Sequence, residues 1–444
     1  MSVQPYLHIT LDGFNLALPR GTGVATYART LSYALKEMSC EVDVLYGLNI
    51  PTKAQSLLRE ILFFDQVCAE EQSRRARFLG ARWKERVRAE LIGHRAVSIP
   101  VDRHVDTRSF SDRMPAFDSI FNARDLFITA WTHYRRTRRF LNITLPNTPD
   151  VMHWTYPLPI RARNTKNVYT IHDLVPLRLP HTTLDNKTNH LRLITDLVLH
   201  ADAICTVSEA SRRDIIDFAP QAAAITYNTY QSVREQNAVQ NLSTDFIKQT
   251  LNRLYDLRMG GYFLYYGSIE PKKNIARLIE AFLASESQRH LVVVGAMAWK
   301  AENEQQLLER GKRLGRIIQM EYLPENDLMM LIRGTRAVLF PSLTEGFGLP
   351  VVEAMMMGTP VMTSREASLP EVVGQAGLMV DAYDVISIME GIQILDQDDA
   401  LYDQMCQKGP AQARNFNMTN YHVKLKKFYD SILGRVDKRS IRSS

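Results

Sequence analysis

Two glutamates, Glu345 and Glu353, stand eight positions apart around a Gly-Phe-Gly turn in the run Pro341-Ser342-Leu343-Thr344-Glu345-Gly346-Phe347-Gly348-Leu349-Pro350-Val351-Val352-Glu353. Ahead of them, Ala337-Val338-Leu339-Phe340 is a short continuous apolar run, which reads as a strand buried on both faces. Pro350 suits the first helical position and Gly358 the residue just past a helix end. The segment therefore reads as strand, glycine turn, short helix. A helix start offers free backbone N–H groups and a partial positive charge. Gly346 and Gly348 let a ligand approach the backbone closely. Carboxylates on either side accept hydrogen bonds from hydroxyls. The pattern fits a ligand with phosphates at one point and sugar hydroxyls on either side. Alone, Glu345 also reads as a helix cap and Glu353 as a first-turn acid stabilised by the helix dipole.

Three further motifs carry side chains suited to such a ligand. Tyr266-Gly267-Ser268-Ile269-Glu270-Pro271-Lys272-Lys273-Asn274 follows a strand and precedes a helix. A lysine there neutralises a diphosphate without a metal; the bland alternative is a solvated lysine pair on a loop. Arg20-Gly21-Thr22-Gly23-Val24-Ala25-Thr26-Tyr27 is a glycine turn that opens the first helix. A nicotinamide-dinucleotide fingerprint fails there. Thr26 stands in place of the third glycine or alanine, and a long loop from Asp12 separates turn from strand. A bare helix N-terminus for phosphate or sugar remains. Thr170-Ile171-His172-Asp173-Leu174 ends an apolar strand. His172 could donate to a sugar hydroxyl or a developing charge, or be a structural histidine with Asp173 capping the next segment.

The elements that must hold these motifs alternate strand and helix. Leu7–Leu11, Val42–Tyr46, Val168–Ile171, Ala203–Thr206 and Ala224–Tyr227 read as strands. Val24–Leu35, Leu191–His200 and Ser208–Phe218 read as helices, with Ser208 a good N-cap. From Pro51 to Asp150 the pattern turns helical and irregular. A polar stretch, Gln231 to Asp245, reads as a linker. A second series follows, with strands Tyr262–Tyr266, Leu291–Val294, Ile317–Met320, Ala337–Phe340, Val361–Thr363 and Leu378–Val380. Helices fit at Asn274–Leu283, Glu304–Leu314, Glu325–Ile332 and Val351–Met357, and Tyr421–Leu433 reads as a terminal helix. Apolar strands alternating with helices make an α/β protein of two doubly wound, Rossmann-like domains facing a cleft. The expected division is 1–235 (acceptor side, with a helical, basic region at 51–150), 246–418 (nucleotide-sugar side) and 419–444, a helix packing back on the first domain. Ligands in such sheets sit beyond the carboxyl ends of the strands.

At 444 residues the chain is long enough for two or three domains. No apolar window is long enough to span a membrane. The N-terminus lacks a charged lead before an apolar core. Four scattered cysteines (Cys40, Cys68, Cys205, Cys406) show neither metal spacing nor a disulfide framework. A cytoplasmic protein is expected. The net charge of +6 is uneven: eight bases and two acids lie between Arg74 and Arg95, and Arg135, Arg136, Arg138 and Arg139 form a second cluster. Leu79, Trp83, Val87 and Leu91 recur every four residues with arginines on the flanks. That helix face suits either peripheral docking on the anionic inner face of a membrane or packing on its own domain. Without a recognition motif or an aromatic-interleaved basic groove, no nucleic-acid partner is expected.

Taken together, the motifs resemble the retaining GT-B glycosyltransferases of the large family numbered four (glycosyl transferases group 1). The resemblance rests on Glu345…Glu353 and on Asp12…Gly21-Thr22-Gly23…Tyr27, His172-Asp173, Val207-Ser208, Gly267…Lys273-Asn274, Phe340-Pro341-Ser342 and Leu369-Pro370-Glu371-Val372-Val373-Gly374. It covers most of the chain and is weakest from Pro51 to Asp150. It implies transfer of a hexose from a nucleotide-diphosphate sugar to a hydroxyl of a glycan or lipid-linked glycan, with retention. No Asp-x-Asp pair appears in a loop suited to a divalent ion, so no essential metal is expected, and no cofactor beyond the sugar nucleotide. The resemblance further implies that Glu345 and the amides of Phe347 and Gly348 hold the transferred sugar's hydroxyls, with Gly23, Ser268, Gly346 and Leu349 also among the donor-binding positions. Glu353 takes the nucleotide ribose, Lys273 the diphosphate, Gly23 the phosphate or acceptor side, and His172 faces the sugar near its reacting carbon. Ser268 stands where many members carry an arginine, which shifts load to Lys273, Lys272 and the helix ends. The second motif and the Gly-Phe-Gly-Leu-Pro turn look most like bacterial polysaccharide mannosyltransferases, favouring GDP-mannose. A UDP-glucose-dependent glucosyltransferase and a sugar-nucleotide epimerase of the same fold are the alternatives.

Overall fold

The computed structural model describes residues 5–17, 23–68, 94–101, 104–107, 114–183, 186–234, 237–298, 302–321 and 323–434. In the first part of the chain the strands are β1 (His8–Asp12), β2 (Glu41–Tyr46), β3 (His94–Arg95), β4 (Val97–Ile99), β5 (Ser119–Asn122), β6 (Leu141–Thr144), β7 (Val151–Trp154), β8 (Ile160–Ala162), β9 (Lys166–Thr170), β10 (Ala203–Thr206) and β11 (Thr226–Asn228). Among the described residues they form one large sheet, ordered β11-β10-β9-β7-β1-β2-β5-β4, and a small sheet, β3-β6-β8. The large sheet is parallel except where β4 runs against β5.

The second series is β12 (Tyr262–Tyr266), β13 (His290–Val294), β14 (Ile317–Met320), β15 (Val338–Phe340), β16 (Val361–Ser364) and β17 (Leu378–Val380). These pair in parallel in the order β14-β13-β12-β15-β16-β17. Counted from β12 that order is 3-2-1-4-5-6, and it reverses between β12 and β15. β12 is buried along its whole length because helices cover both faces. The helix Ile275–Ala284 is apolar on its buried side at Ile275, Leu278, Ile279, Ala281 and Phe282.

The region 51–150 departs from the expected helical pattern. Helices Ser56–Cys68 and Leu126–Thr137 are present, but so are β3 to β6, and β5 is an integral strand of the large sheet. Its four residues, Ser119 to Asn122, have only two apolar positions, too few to show a period. β7, also unread in the sequence, is buried along its full length. The polar stretch after Gln231 holds a helical turn, Asn237–Gln240, and the start of helix Thr244–Tyr255. The basic amphipathic segment with Leu79, Trp83, Val87 and Leu91 lies outside the described residues, as do Gly21 and Thr22. Among the described residues no helix is long and apolar enough to cross a membrane.

The last helix, Met418–Ile432, lies against the first part of the chain. Tyr6 donates to Asp430, and the Tyr429 hydroxyl meets His153 Nδ1 at 2.7 Å. Tyr421, Leu425 and Phe428 share a buried cluster with Leu7, Ile9 and Leu31.

One backbone crossing sets the geometry of the loop after β12. Gly267 (φ 137°) donates its N–H to Val294 O at 2.9 Å, and its own carbonyl fills the space where a side chain on Gly295 would start. Gly295→Ala should therefore lower stability by about 1–3 kcal/mol, the usual cost of overpacking. Urea unfolding of the pair of proteins measures it; an unchanged midpoint would contradict this packing.

Candidate active site in the interdomain cleft

The loops after β12 and β15 leave adjacent strands at the point where the second sheet reverses its order, the usual ligand crevice of such sheets. They are stitched together by Leu343 N donating to Lys272 O at 2.8 Å. Asn274 sits in the left-handed region (φ 62°) and its amide donates to Pro341 O (3.0 Å) and Ala382 O (2.7 Å). This fixes where helix Ile275–Ala284 begins and so where the two lysines before it point.

Lys273 Nζ donates to Glu345 Oε1 at 2.6 Å, with both side chains mostly buried, and lies 5.1 Å from the centre of the Phe340 ring. The two residues singled out separately in the sequence are thus one ion pair. Burial pushes the Lys272 ammonium down, but Asp173, Glu345 and Glu270 push it further up, so it is held above the ordinary lysine range. Glu270 Oε1 lies 3.8 Å from Lys272 and accepts from Ser268 Oγ at 3.0 Å. Ser268 is exposed and bonded to this carboxylate.

The Gly-Phe-Gly turn has two different reasons for its glycines. Gly348 has φ 106° and immediately precedes helix Leu349–Met356. At Gly346 the constraint is space: a Cβ would lie 2.6 Å from the carbonyl oxygen of His172, in the opposite domain. Phe347 is buried against Phe416 and 6.4 Å from Tyr230, so its ring turns away into the domain junction and only its backbone serves the turn. The Ser368 hydroxyl lies within hydrogen-bond reach of Glu345 O and Phe347 O. Glu353, in the first turns of helix Leu349–Met356, accepts from Tyr266 Oη at 3.0 Å, and burial pushes its carboxyl up to about 7.

The facing wall comes from the carboxyl ends of β1, β7 and β9. Asp12 is fully buried and takes the backbone N–H and the hydroxyl of Thr155, the latter at 2.8 Å. Burial lifts its carboxyl to about 6 against those bonds. The Thr155 carbonyl in turn accepts from His172 Nε2 at 2.9 Å. A carbonyl can only accept, so the proton sits on Nε2 and Nδ1 is the acceptor. Burial also holds the imidazole below the ordinary histidine range. His172 is therefore built as a neutral ring offering an acceptor rather than the donor read from the sequence. The ring of Tyr27 packs edge-on to it at 4.9 Å. Tyr27 lies one turn into helix Gly23–Glu37, which brings the start of that helix to this wall. Gly23 opens the helix and is exposed, with open space where a side chain would go.

Residues 258–412 match the family model described as glycosyl transferases group 1. O-antigen chain mannosyltransferase B of Escherichia coli is 34% identical over 269 residues, 58% of this chain and 68% of that protein. The chain belongs to the group 1 glycosyl transferases. The serotype-specific mannosyltransferase WbdA of Escherichia coli is 30% identical over 367 residues, 74% of this chain but only 44% of that longer protein. Among solved structures, sucrose-phosphate synthase from Thermosynechococcus elongatus superposes with a TM-score of 0.66 at 16% identity, over 97% of this chain and 100% of that one. WaaG, a glycosyltransferase involved in lipopolysaccharide biosynthesis, gives 0.58 at 13% identity over 96% and 100%. The fold is GT-B, and this chain is a glycosyltransferase.

In the glycosyltransferase, His172, Lys273, Glu345 and Gly346 are thus brought together, Gly348 shapes the turn beside them, Leu349 and Glu353 follow in the helix it opens, and the Phe347 side chain turns away. Sequence reasoning missed Thr155, the Tyr266 hydroxyl, Glu270 and Ser211, whose Oγ donates to His172 O at 2.6 Å. Tyr266 and Glu270 gave a signal, since both stand inside the Lys272-Lys273 motif. Among the described residues the one grouping with metal-ligand character, His8, Glu41 and Asp43, lies at the amino ends of β1 and β2, on the opposite edge of the sheet from the cleft. Gly346→Ala should force the two walls apart. Urea unfolding should show a stability lower than wild type by about 1–3 kcal/mol, the usual cost of overpacking; an unchanged midpoint would show that the contact yields at no cost.

Proposed function

We propose that this glycosyltransferase moves a mannosyl group from GDP-mannose to a hydroxyl of a growing bacterial polysaccharide of O-antigen type, with retention at the anomeric carbon. The observation that carries the reading is the Lys273–Glu345 ion pair set against the His172–Asp173 backbone across the cleft. It gathers a cation for a departing diphosphate, a carboxylate for sugar hydroxyls and a neutral imidazole acceptor. The mannosyltransferase names of the relatives support the sugar and the pathway class.

In this reading the bond between the anomeric carbon and the diphosphate oxygen breaks, and the acceptor oxygen bonds to the same face. The acceptor proton passes to the leaving diphosphate. Charge grows on that leaving group, where Lys273 and Lys272 meet it in a water-poor cleft. Glu345 holds the sugar, Glu353 the ribose hydroxyls, and His172 Nδ1 accepts from a sugar hydroxyl. No covalent adduct with the enzyme is formed; a glycosyl group trapped on Glu345 or Asp173 would sink that step.

A calorimetric screen of GDP-, UDP- and ADP-sugars tests the donor. GDP-mannose should bind most tightly, and preference for UDP-glucose would reassign it. Turnover of a donor without acceptor would instead indicate an epimerase. Glu345→Ala should lose transfer by about 10²–10³-fold, the usual loss when a group stabilising the transition state is removed, while circular dichroism stays native. Full activity would overturn the site.

The Glu353 carboxyl makes a second, pH-dependent prediction. Its folded pKa of about 7 lies above the ordinary carboxyl range. Ribose hydroxyls donate more strongly to the ionised form, which has acceptor oxygens only, so protonation weakens binding. GDP-mannose, whose bridging diphosphate does not titrate near neutrality, should bind less tightly as pH falls through that value. The slope should be at most roughly tenfold per pH unit below it, levelling off at the affinity of the neutral form. Glu353→Gln should flatten the profile; an unchanged slope in that variant would assign the titration elsewhere.

A further inference from the structure

The segment Leu369-Pro370-Glu371-Val372-Val373-Gly374 has no part in the donor pocket as described, yet it reaches across the domain junction. Glu371 Oε2 accepts the backbone N–H of Glu209 at 3.1 Å, and Oε1 accepts that of Ala210 at 2.9 Å. These are the first two amides of helix Glu209–Phe218, whose N-cap Ser208 takes Ser211 N. Early helix amides have no partner within their own helix, and the helix dipole favours a negative charge there. Such charge-assisted bonds are stronger than neutral ones. Glu371 also accepts from Tyr230 Oη at 3.1 Å, and the Lys424 ammonium sits 4.3 Å from the centre of the Tyr230 ring.

Each end of this contact leads to one wall of the cleft. On the helix side, Ser211 Oγ donates to His172 O at 2.6 Å and comes within 3.4 Å of Gly346 O. On the Glu371 side, Ser368 holds Glu345 O and Phe347 O from the start of the same short helix. The chain crossings between domains meet at the same place. Tyr230 has a left-handed backbone (φ 58°), its ring packs on Phe416, and Ser232 Oγ donates to Phe416 O at 2.9 Å.

We propose that Glu371 is a positioning residue: by capping helix Glu209–Phe218 from the opposite domain, it sets the register of His172 over the Glu345–Gly348 turn. It touches neither sugar nor nucleotide. The inference rests on the reading that transfer occurs at that turn. The donor-binding groups Lys273, Glu345 and Glu353 lie in the Glu371 domain and only His172 reaches the donor sugar from the facing wall, so donor affinity should depend on the cap far less than the rate of transfer does.

The test compares the full-length wild type with Glu371→Ala and Glu371→Gln. Hydrogen exchange of the 208–212 segment should show faster exchange of the Glu209 and Ala210 amides in Glu371→Ala. The calorimetric Kd for GDP-mannose should stay within about twofold, while kcat for transfer falls by roughly tenfold to hundredfold, the scale of an ångström-sized misplacement. Glu371→Gln keeps one acceptor oxygen and should fall between; it also supplies the measurement if Glu371→Ala does not fold. Unchanged exchange and unchanged kcat would overturn the proposal. So would a loss of donor affinity in step with kcat, which marks a general structural defect. If wild type transfers no sugar from any donor, the functional reading fails, yet the exchange arm still decides whether Glu371 caps the helix.

Discussion

The cleft depends on one close approach: the bare Cα of Gly346 against the carbonyl of His172. No side chain fits between them, so the loop after β15 and the loop after β9 meet backbone to backbone. That contact sets the distance between the two walls for every group mounted on them. It also assigns the first glycine of the Gly-Phe-Gly turn a cause other than ligand access. The second glycine is required by its own left-handed φ. Two glycines two residues apart therefore answer two separate constraints, one steric between domains and one conformational within the turn.

Charge in the cleft is arranged by the same topology. The loops after β12 and β15 are neighbours only because the second sheet reverses its strand order between them. That reversal puts Lys272 and Lys273 beside Glu345, with Glu270 and Asp173 completing a compact alternation of sign. Removal from water strengthens every interaction in the group. Burial would disfavour the Lys272 ammonium, and the three surrounding carboxylates more than offset it. On the other wall, Asp12 grips Thr155 and Thr155 grips His172, so a buried carboxylate two residues removed decides which imidazole nitrogen is the acceptor.

The domain junction is the third part of this arrangement. Phe347 turns its ring away from the cleft into Phe416 and Tyr230, coupling the turn to both chain crossings. The terminal helix Met418–Ile432 packs against the first helix and meets His153 beneath β7. Helix Met418–Ile432 thus ties the second domain back to the first, and the site lies between the two.

Much of this was legible in the sequence. β12 and β17 were bounded correctly because they are continuous apolar runs set off by polar turns, and β14 because Gln319 alone interrupts its run. Glu345, Glu353, Lys273 and His172 stood out because each follows such a strand at the end where ligands bind. What failed did so for local reasons: β5 offers two apolar residues and β7 is short, and neither leaves a period to read. Pairing lay beyond any local pattern. That Lys273 belongs to Glu345, that His172 presents Nδ1, that Phe347 serves the junction and that Gly346 faces another domain's carbonyl all depend on contacts between residues far apart in the chain. Sequence alone determined which chemistry was at hand, because residue type and strand ends are local properties. Tertiary structure decided which groups act together, because strand order and domain contact bring them within bonding distance.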